Sequence, residues 1–362
     1  MGRLTRAQTQ ERNRAKVLAA ARDEFADRGF RDAKIDDIAD RAGLTRGAVY
    51  SNFPGKRALY FAVLAGLAEH APQPPPPGQD RTAREALAVF ARAWVARLPL
   101  STDEHHGAAR LGMDLMPEIL AEHRTRVAYA QLMKLDAILL GLALERLRPP
   151  GRLVRLAEAV LTTLHGVSQL AAAAPGFTDP FDVVSVCEQL AGLDLGGGWP
   201  PTPAVPPARV TDEPWSPPPA TDAVRGTPAD LTDDGVLAVL GLHRLEAAEE
   251  LVRAAPPAAA VTAVLVTGAP GELAPLARLV VAEVCGCLRQ AFPPYAWPRL
   301  RVVHDPTGAL AAAAGVPAVG DATEVAVRVR GGRIVARADG RGAGHAAATS
   351  GEHVTARDRH TR

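Results

Sequence analysis

The sequence predicts an all-α architecture over the first two thirds of the chain and a smaller α/β domain after it. Three observations predict this division. Apolar residues recur at helical spacing up to residue 193, a segment with nine prolines follows at 196–222, and apolar runs typical of strands begin after that segment. We therefore expect the following layout: domains at 1–71, 81–195 and 223–349, a proline-rich linker at 196–222, and a disordered tail at 350–362.

Four helices are predicted in the first domain, at 11–28, 35–41, 46–52 and 56–70. The first carries the apolar stripe Val17, Leu18, Ala21 and Phe25 and ends at Gly29. Thr45 is placed to cap the third helix, because a threonine hydroxyl can accept a hydrogen bond from a free backbone N–H.

The two short helices at 35–41 and 46–52 predict a helix-turn-helix unit. Gly43 lies between them and can adopt the positive φ that such a turn needs. The second helix would present Thr45, Arg46, Gly47, Ala48 and Ser51 outward. Short side chains let its backbone approach a DNA major groove, where an arginine can reach a guanine or a phosphate.

Residues 14–64 resemble the TetR/AcrR family of bacterial transcriptional regulators over one uninterrupted segment. The motifs that carry the resemblance are Phe-Ala-x-x-Gly-Phe at 25–30, Asp37-Ile38-Ala39, Ala42-Gly43 and Val49-Tyr50-x-Asn-Phe-x-x-Lys. The helical stretch 81–195 resembles the family's ligand-binding and dimerisation domain in length and layout only.

The resemblance implies a DNA-binding role for eight residues. The expected phosphate contacts are Tyr50, Asn52, Lys56 and, in part, Thr45; the residues expected nearest the bases are Arg46, Gly47 and Ala48. Lys34 departs from the family pattern, which usually has Thr or Ser opening the second helix, and we expect it to replace the hydroxyl with a charge contact to phosphate. The alternatives are simple packing for Tyr50, a solvated helix start for Lys56 and a plain surface position for Arg46.

The charge distribution fits a polyanionic partner near the N-terminus. The net charge of the whole chain is +1, but residues 1–60 carry 13 Lys+Arg against 8 Asp+Glu. Ordinary charge fluctuation is the alternative explanation. The first residues do not resemble a signal peptide and no apolar run is long enough to span a membrane, so we expect a cytoplasmic location.

The segment 81–195 is expected to form a bundle that dimerises through its last two helices, at 153–173 and 180–193. The resemblance places a ligand cavity among the preceding helices, at 81–98, 104–121 and 122–147. Its candidate wall residues are Phe90, Trp94, Met113, Met116, Leu135 and His165. For each of them plain core packing is the alternative. The adjacent histidines within 103–110 diverge by about 100° on a helix, so no metal site is expected there.

The last domain is expected to contain a helix at 231–254, strands at 260–267 and 299–305, a helix at 272–291, and a hairpin at 323–340 centred on Gly331-Gly332. This order is similar to thioredoxin-like domains. The segment after the first predicted strand has no cysteine where that family places its reactive thiol, so redox catalysis is not expected. Cys285 and Cys287 point apart on one helix and are expected to be small buried residues.

Taken together, the patterns predict a transcriptional regulator, a repressor that acts without enzymatic activity or cofactor. Its expected partners are a palindromic DNA operator, a small apolar effector and a second copy of the chain, with no membrane. Two alternatives stay open. One is a regulator fused to a thiol-dependent, oxidoreductase-like domain, and the other is a DNA-binding protein that responds to no ligand.

Overall fold

The computed structural model describes residues 5–75, 77–78, 80–98, 111–195 and 205–350. Its first domain contains the four predicted helices: α1 (Arg6–Asp32), α2 (Ile35–Ala42), α3 (Arg46–Tyr50) and α4 (Lys56–Glu69). Gly29 interrupts α1 with a φ of 77°, a conformation that favours glycine, so the turn that the sequence placed at this residue is present.

Within the described residues five further helices of known bounds follow: α5 (Ala83–Val95), α6 (Leu115–Leu120), α7 (His123–Leu147), α8 (Val154–Ala173) and α9 (Pro180–Leu190). Asp179 caps α9 by accepting a hydrogen bond from the N–H of Phe181 at 2.8 Å. The described part of the expected helix at 104–121 begins at residue 111 and contains α6, and the histidine pair within 103–110 lies outside the described residues.

The C-terminal domain is a mixed sheet with helices. Its strands are β1 (Arg209–Pro214), β2 (Thr221–Asp222), β3 (Thr227–Pro228), β4 (Gly235–Gly241), β5 (Ala260–Val266), β6 (Leu300–His304), β7 (Glu324–Arg330) and β8 (Arg333–Asp339). Its helices are α10 (Ala247–Ala254), α11 (Leu273–Ala291), α12 (Ala309–Ala313) and α13 (Ala343–Thr349). The main sheet has the order β1-β8-β7-β4-β5-β6, in which β4, β5 and β6 are parallel and the other pairings are antiparallel.

Two expectations for this region are wrong. Residues 231–254 do not form one helix, because the run Gly235–Gly241 is the fully buried central strand β4 and only Ala247–Ala254 is helical. A strand covered on both faces is apolar throughout, which periodicity alone does not separate from a buried helix. The segment 196–222 is also more than a linker, since β1 pairs with β8 and Trp215 is buried, with its Nε1 donating to the Leu231 carbonyl at 2.7 Å.

The thioredoxin-like arrangement is not confirmed. The strand that the sequence placed first, β5, is preceded by β4, which occupies the centre of the sheet between β5 and β7. The predicted hairpin is confirmed: β7 and β8 are joined by Gly331 and Gly332, both with positive φ. The coarser prediction of an α/β domain therefore agrees with the observed mixed sheet and its helices.

Helix α11 joins the two halves of the protein. It packs against α4, α5 and α7, and one continuous hydrophobic cluster contains residues of both halves. Ion pairs add to this contact: Arg152 donates to both carboxylate oxygens of Glu249 at 2.6 and 2.8 Å, and Arg253 donates to both oxygens of Glu145 at 2.7 and 2.6 Å. The C-terminal domain is therefore packed against the helical part and is not joined to it only through the predicted linker.

Among the described residues one helix, α7, is long and apolar enough to cross a membrane by length and composition. Sixty-seven per cent of its apolar window is buried inside the fold. That burial is typical of the core helix of a globular protein, which passes the same test of length and hydropathy.

Candidate nucleic-acid interface and cavity

The angle between α2 and α3 is fixed by a glycine turn and a small apolar joint. Gly43 adopts φ 64° and ψ 38°, and the N–H of Leu44 donates to the Ala39 carbonyl at 3.0 Å. Ile38 and Val49 are buried at the joint, with 0% and 1% exposure. The two short helices are thereby held as a rigid pair with one face of α3 open to solvent.

The open face of α3 carries the predicted recognition residues. The Thr45 hydroxyl caps α3 by accepting from the N–H of Ala48 at 3.2 Å, and Gly47 leaves the backbone beside it uncovered. Arg46 is 62% exposed, and its guanidinium carbon lies 5.5 Å from the centre of the Tyr50 ring. Tyr50 is itself 43% exposed. This arrangement presents a cation, an aromatic hydroxyl and a helix N-terminus to one partner.

The remaining predicted DNA contacts have different surroundings. Lys34 is exposed at the N-cap of α2 and makes no side-chain cap bond there. The Asn52 side chain donates to the Ala48 carbonyl at 2.8 Å. Lys56 Nζ donates to the carbonyls of Arg31 and Ala33 at 3.1 and 2.9 Å.

Lys56 is therefore engaged inside the protein. Its ammonium lies 4.6 Å from the centre of the Phe30 ring, and burial lowers the pKa of this lysine. A solvated lysine at a helix start, which was the alternative at this position, does not describe these contacts. The geometry instead gives Lys56 a part in holding the turn between α1 and α2 against α4.

Arg14 is a further candidate that the sequence reasoning did not select. Its Nη1 donates to the Asn52 carbonyl at 3.2 Å, and its guanidinium carbon lies 4.4 Å from the centre of the Phe53 ring. Burial lowers its pKa. A small cavity of about 300 Å³ lies beside it, lined in part by Gln10 and Ser51. The only sequence signal was the basic character of the first 60 residues.

A second, larger cavity of about 490 Å³ lies between the helical bundle and α11. Four of the six predicted ligand residues line it: Trp94, Met113, Met116 and His165. Phe90 and Leu135 do not; both are fully buried in the hydrophobic core, as their long apolar side chains allow. The polar wall residues that the sequence reasoning missed include Arg97, Tyr129, Asp136 and Glu283.

Two polar side chains of this cavity each have a buried atom without a hydrogen-bond partner among the described residues. Within the described part of the chain, Asp136 Oδ1 and His165 Nε2 have no hydrogen-bond partner. Burial, helped by the Arg97 charge, lowers the pKa of His165 to about 4, so this imidazole is neutral at pH 7. Burial and the nearby charge of Glu283 hold the pKa of Asp136 well above its usual range.

The cavity also touches the helix that follows the helix-turn-helix unit. Leu64 and Leu67 of α4 line it together with Leu279 and Glu283 of α11. A molecule in the cavity would therefore contact both the first domain and the C-terminal domain.

The cysteines offer no activated thiol. Cys285 and Cys287 are 0% and 1% exposed. Burial raises both thiol pKa values, that of Cys287 to about 11, so neither thiol is ionised near pH 7. Across the described ranges, no group of three or more His, Cys, Asp or Glu side chains is arranged to hold a metal ion.

The sequence profile of the family described as bacterial regulatory proteins, tetR family, matches residues 17–63. The transcriptional regulator SrpR of Pseudomonas putida is 46% identical over 65 residues, which are 18% of this chain and 30% of SrpR. The transcriptional activator FasR of Mycolicibacterium smegmatis is 44% identical over 55 residues, 15% of this chain and 25% of FasR. The chain thus spans less than a third of the length of these two relatives.

Among solved structures, a TetR transcriptional regulator from Rhodococcus sp. RHA1 is similar at 18% identity and a TM-score of 0.35. The match covers 51% of this chain and 94% of that one. Residues 17–63 therefore form a TetR-family helix-turn-helix domain, on the strength of the sequence profile and the regulators that share the segment.

Proposed function

We propose that the protein is a DNA-binding transcriptional regulator that represses its targets as a homodimer and is released by a small molecule. One observation carries the proposal: within the matched segment, α3 exposes Arg46 and Tyr50 together beside a helix N-terminus capped by Thr45. An arginine on a helix of this kind can reach base edges in a major groove, while hydroxyl and backbone N–H groups bind phosphates.

The exposed apolar side chains near the end of the helical bundle support a dimer. Leu170 on α8, Phe177 in the following turn, and Phe181 and Val186 on α9 are exposed by 38%, 74%, 82% and 47%. Large apolar side chains exposed this close together in the chain are typical of an interface between protein chains. A two-fold dimer would place two copies of α3 in successive major grooves of a near-palindromic operator.

The cavity of about 490 Å³ supports a ligand switch. Its volume is within the range of small-molecule sites. The cavity is lined by α4, the helix directly after the helix-turn-helix unit. A bound molecule would therefore favour the position of α4 in which the molecule and α4 make the most contacts. A ligand that binds one dimer geometry better than the other shifts the population toward that geometry. Such a protein would work in the cytoplasm.

The decisive experiment is selection of genomic DNA fragments by the purified full-length protein. We expect a short palindrome, bound more weakly by Arg46→Ala and Tyr50→Phe than by wild type. Arg330→Ala is the matched control, because Arg330 is an exposed arginine at the end of β7, far from α3 in the sequence. Binding that depends on salt but selects no motif would overturn the specific-operator proposal.

Two other functions remain as rivals, each with a test. A thioredoxin-like, thiol-dependent activity of the C-terminal domain would appear in insulin-reduction or peroxide-consumption assays, but the burial of Cys285 and Cys287 disfavours it. A constitutive DNA-binding protein would keep the same operator affinity in the presence of any compound extract, and the cavity beside α4 disfavours that reading.

A further inference from the structure

We propose that the effector is a monocationic amphiphile, whose positive group is held between Asp136 of α7 and Glu283 of α11. The proposal rests on the ligand switch described above and specifies the chemistry of its site. It differs from the sequence-based expectation of a wholly apolar effector, because the cavity wall contains carboxylates that an apolar molecule would leave unpaired.

Asp136 is the first element of the site. It lines the cavity, is 1% exposed, and its Oδ1 has no hydrogen-bond partner within the described residues. A buried carboxylate without a partner is costly, and such groups are ordinarily paired or hydrogen-bonded. A ligand cation or N–H donor in the cavity would supply the partner that the fold itself does not.

Glu283 is the second element, and it comes from the other domain. It lies on α11, lines the same cavity and is close enough to Asp136 for its charge to raise the pKa of that carboxyl. Two carboxylates that share a cavity attract a cation more strongly than either would alone. Because the two side chains belong to α7 and α11, the site is incomplete without the C-terminal domain.

The local charge balance sets the charge of the ligand at +1. Arg97, just after α5, partly offsets the two carboxylates: its guanidinium donates to the Glu283 carbonyl at 3.2 Å and to Cys287 Sγ at 3.1 Å. His165 adds no charge near pH 7 because it is buried and its pKa is lowered to about 4. In the empty cavity, burial raises the pKa of both Asp136 and Glu283. A bound cation favours the ionised carboxylates, and two carboxylates with one guanidinium then sum to a charge of −1, which a monocation neutralises.

Aromatic and apolar walls account for the amphiphilic part. Trp94 Nε1 donates to Ser168 Oγ at 3.0 Å, which fixes the indole in the wall. Tyr129 offers an aromatic surface for an alkylammonium group, whereas the Trp94 ring already lies 5.0 Å from the Arg97 guanidinium carbon. Met113 and Met116 offer adaptable apolar surface for a hydrocarbon chain. The cavity therefore combines a negative end with an apolar body.

The test uses three probes with the same chain and different charge: octyltrimethylammonium, 1-octanol and octanoate. Each competes with the neutral fluorescent probe N-phenyl-1-naphthylamine for the full-length protein. We expect the cation to displace the fluorophore at about tenfold to hundredfold lower concentration than octanol, the range of one or two charge-assisted contacts. Octanoate should be the weakest of the three.

Asp136→Asn and Glu283→Gln each keep the shape of the side chain and remove its charge. Either variant should lose most of the preference for the cation and keep its affinity for octanol and for the fluorophore. Asp339→Asn, an exposed carboxylate at the end of β8, is the matched control and should behave as wild type. Thermal unfolding of each variant confirms that the loss is not one of folding.

The outcomes separate this proposal from the proposed function. Equal displacement by all three probes, or a cation preference unchanged in both variants, would overturn the cation site while leaving the ligand switch intact. Failure of the fluorophore and of all three probes to bind would overturn both the cation site and the ligand switch. Operator binding is measured in parallel and tests the DNA-binding proposal separately from the cation site and the ligand switch.

Discussion

The guanidinium of Arg46 lies over the ring of Tyr50, with 5.5 Å between its central carbon and the ring centre, and both side chains are exposed on the same face of α3. The stack orients the arginine before any DNA is bound. Within the described residues its ion pair, with Asp36 at 3.4 Å, is long and solvent-exposed, so the guanidinium is easily transferred to another acceptor.

Arg46→Ala should therefore weaken binding to the selected operator by about 1–3 kcal/mol and relax sequence preference at one position of each half-site. Fluorescence anisotropy with the operator and with single-base variants measures both effects. Arg330→Ala changes the net charge equally and should leave binding unaltered. An equal loss in the two variants would mean that Arg46 acts only through overall charge.

Lys34 and Lys56 should respond differently to substitution. Lys34 is exposed and free to contact phosphate, so Lys34→Ala should reduce the slope of log affinity against log salt by about one and leave stability unchanged. Salt titrations of operator binding together with urea unfolding provide the measurement. A salt slope identical to that of wild type would exclude Lys34 from the interface.

Lys56→Met should act mainly on stability. It removes two donors to the carbonyls of Arg31 and Ala33 and the contact with Phe30, so we expect a loss of about 1–3 kcal/mol in the free energy of unfolding. Urea unfolding measures this value. A variant as stable as wild type, but with a smaller salt slope, would instead assign Lys56 to phosphate binding.

Phe181→Asp should shift the protein from dimer to monomer. Phe181 is 82% exposed on α9, and a carboxylate at the centre of an apolar interface would be desolvated without a partner. Sedimentation velocity measures the change. Val210→Asp, at an 80% exposed position on the edge strand β1, is the control and should remain dimeric. If the Phe181→Asp variant is still dimeric, the dimer interface lies on a surface that does not include Phe181.

Arg57 should couple the two domains. It is 18% exposed in the first turn of α4 and pairs with Glu122 at 2.6 Å and with Glu272 at 2.5 Å, the latter at the start of α11. Arg57→Ala should lower the free energy of unfolding by about 1–3 kcal/mol and reduce the effect of ligand on DNA affinity. Arg333→Ala, which breaks an exposed pair with Asp212, should leave the free energy of unfolding almost unchanged. Chemical unfolding and ligand titrations on operator DNA measure both effects in the Arg57→Ala and Arg333→Ala variants.

Asp136 should make stability depend on pH. In the unfolded chain its carboxyl ionises near 3.8, whereas in the fold burial and Glu283 raise its pKa well above that value. The folded state therefore binds more protons between these two values, and stability falls as the pH rises through this window.

Asp136→Asn removes this penalty. The variant should match wild type below about pH 4 and be more stable at pH 7, by about 1–3 kcal/mol, because it no longer desolvates an unpaired charge. Thermal unfolding of both proteins from pH 4 to pH 8 measures the difference. A constant difference across this range would show that Asp136 is not the titrating group.

The helices of the first 195 residues were predictable because local signals agree there. Gly29 and Gly43 occupy positive φ, Thr45 caps α3, and the apolar stripes face one core, so residue pattern and fold coincide. Strand β4 was not predictable in this way. Its fully buried run Gly235–Gly241 has no alternation, and only its pairing with β5 and β7 defines it as a strand.

The candidate site was predictable only in part, for a similar reason. The exposed residues of α3 are set by local helix geometry, whereas the cavity depends on contacts between distant segments. Trp94 and His165 were selected as apolar or unusual wall residues of the bundle, but Glu283 lies on α11, beyond the proline-rich segment. Nothing in the local pattern around Glu283 indicates that it lines the same cavity as Asp136.

The position of α11 also affects how the chain reaches its folded state. Helix α4 ends at Glu69, and the helix that packs along it begins at Leu273, so ribosomes must synthesise some two hundred residues between the two partners. Contacts this distant in sequence form slowly and leave apolar surface uncovered in the meantime. During synthesis the nascent helical bundle would keep the apolar surface that α11 covers exposed. A polypeptide released early would lack α11, the helix that packs against α4. Full operator-binding competence would therefore be reserved for completed chains.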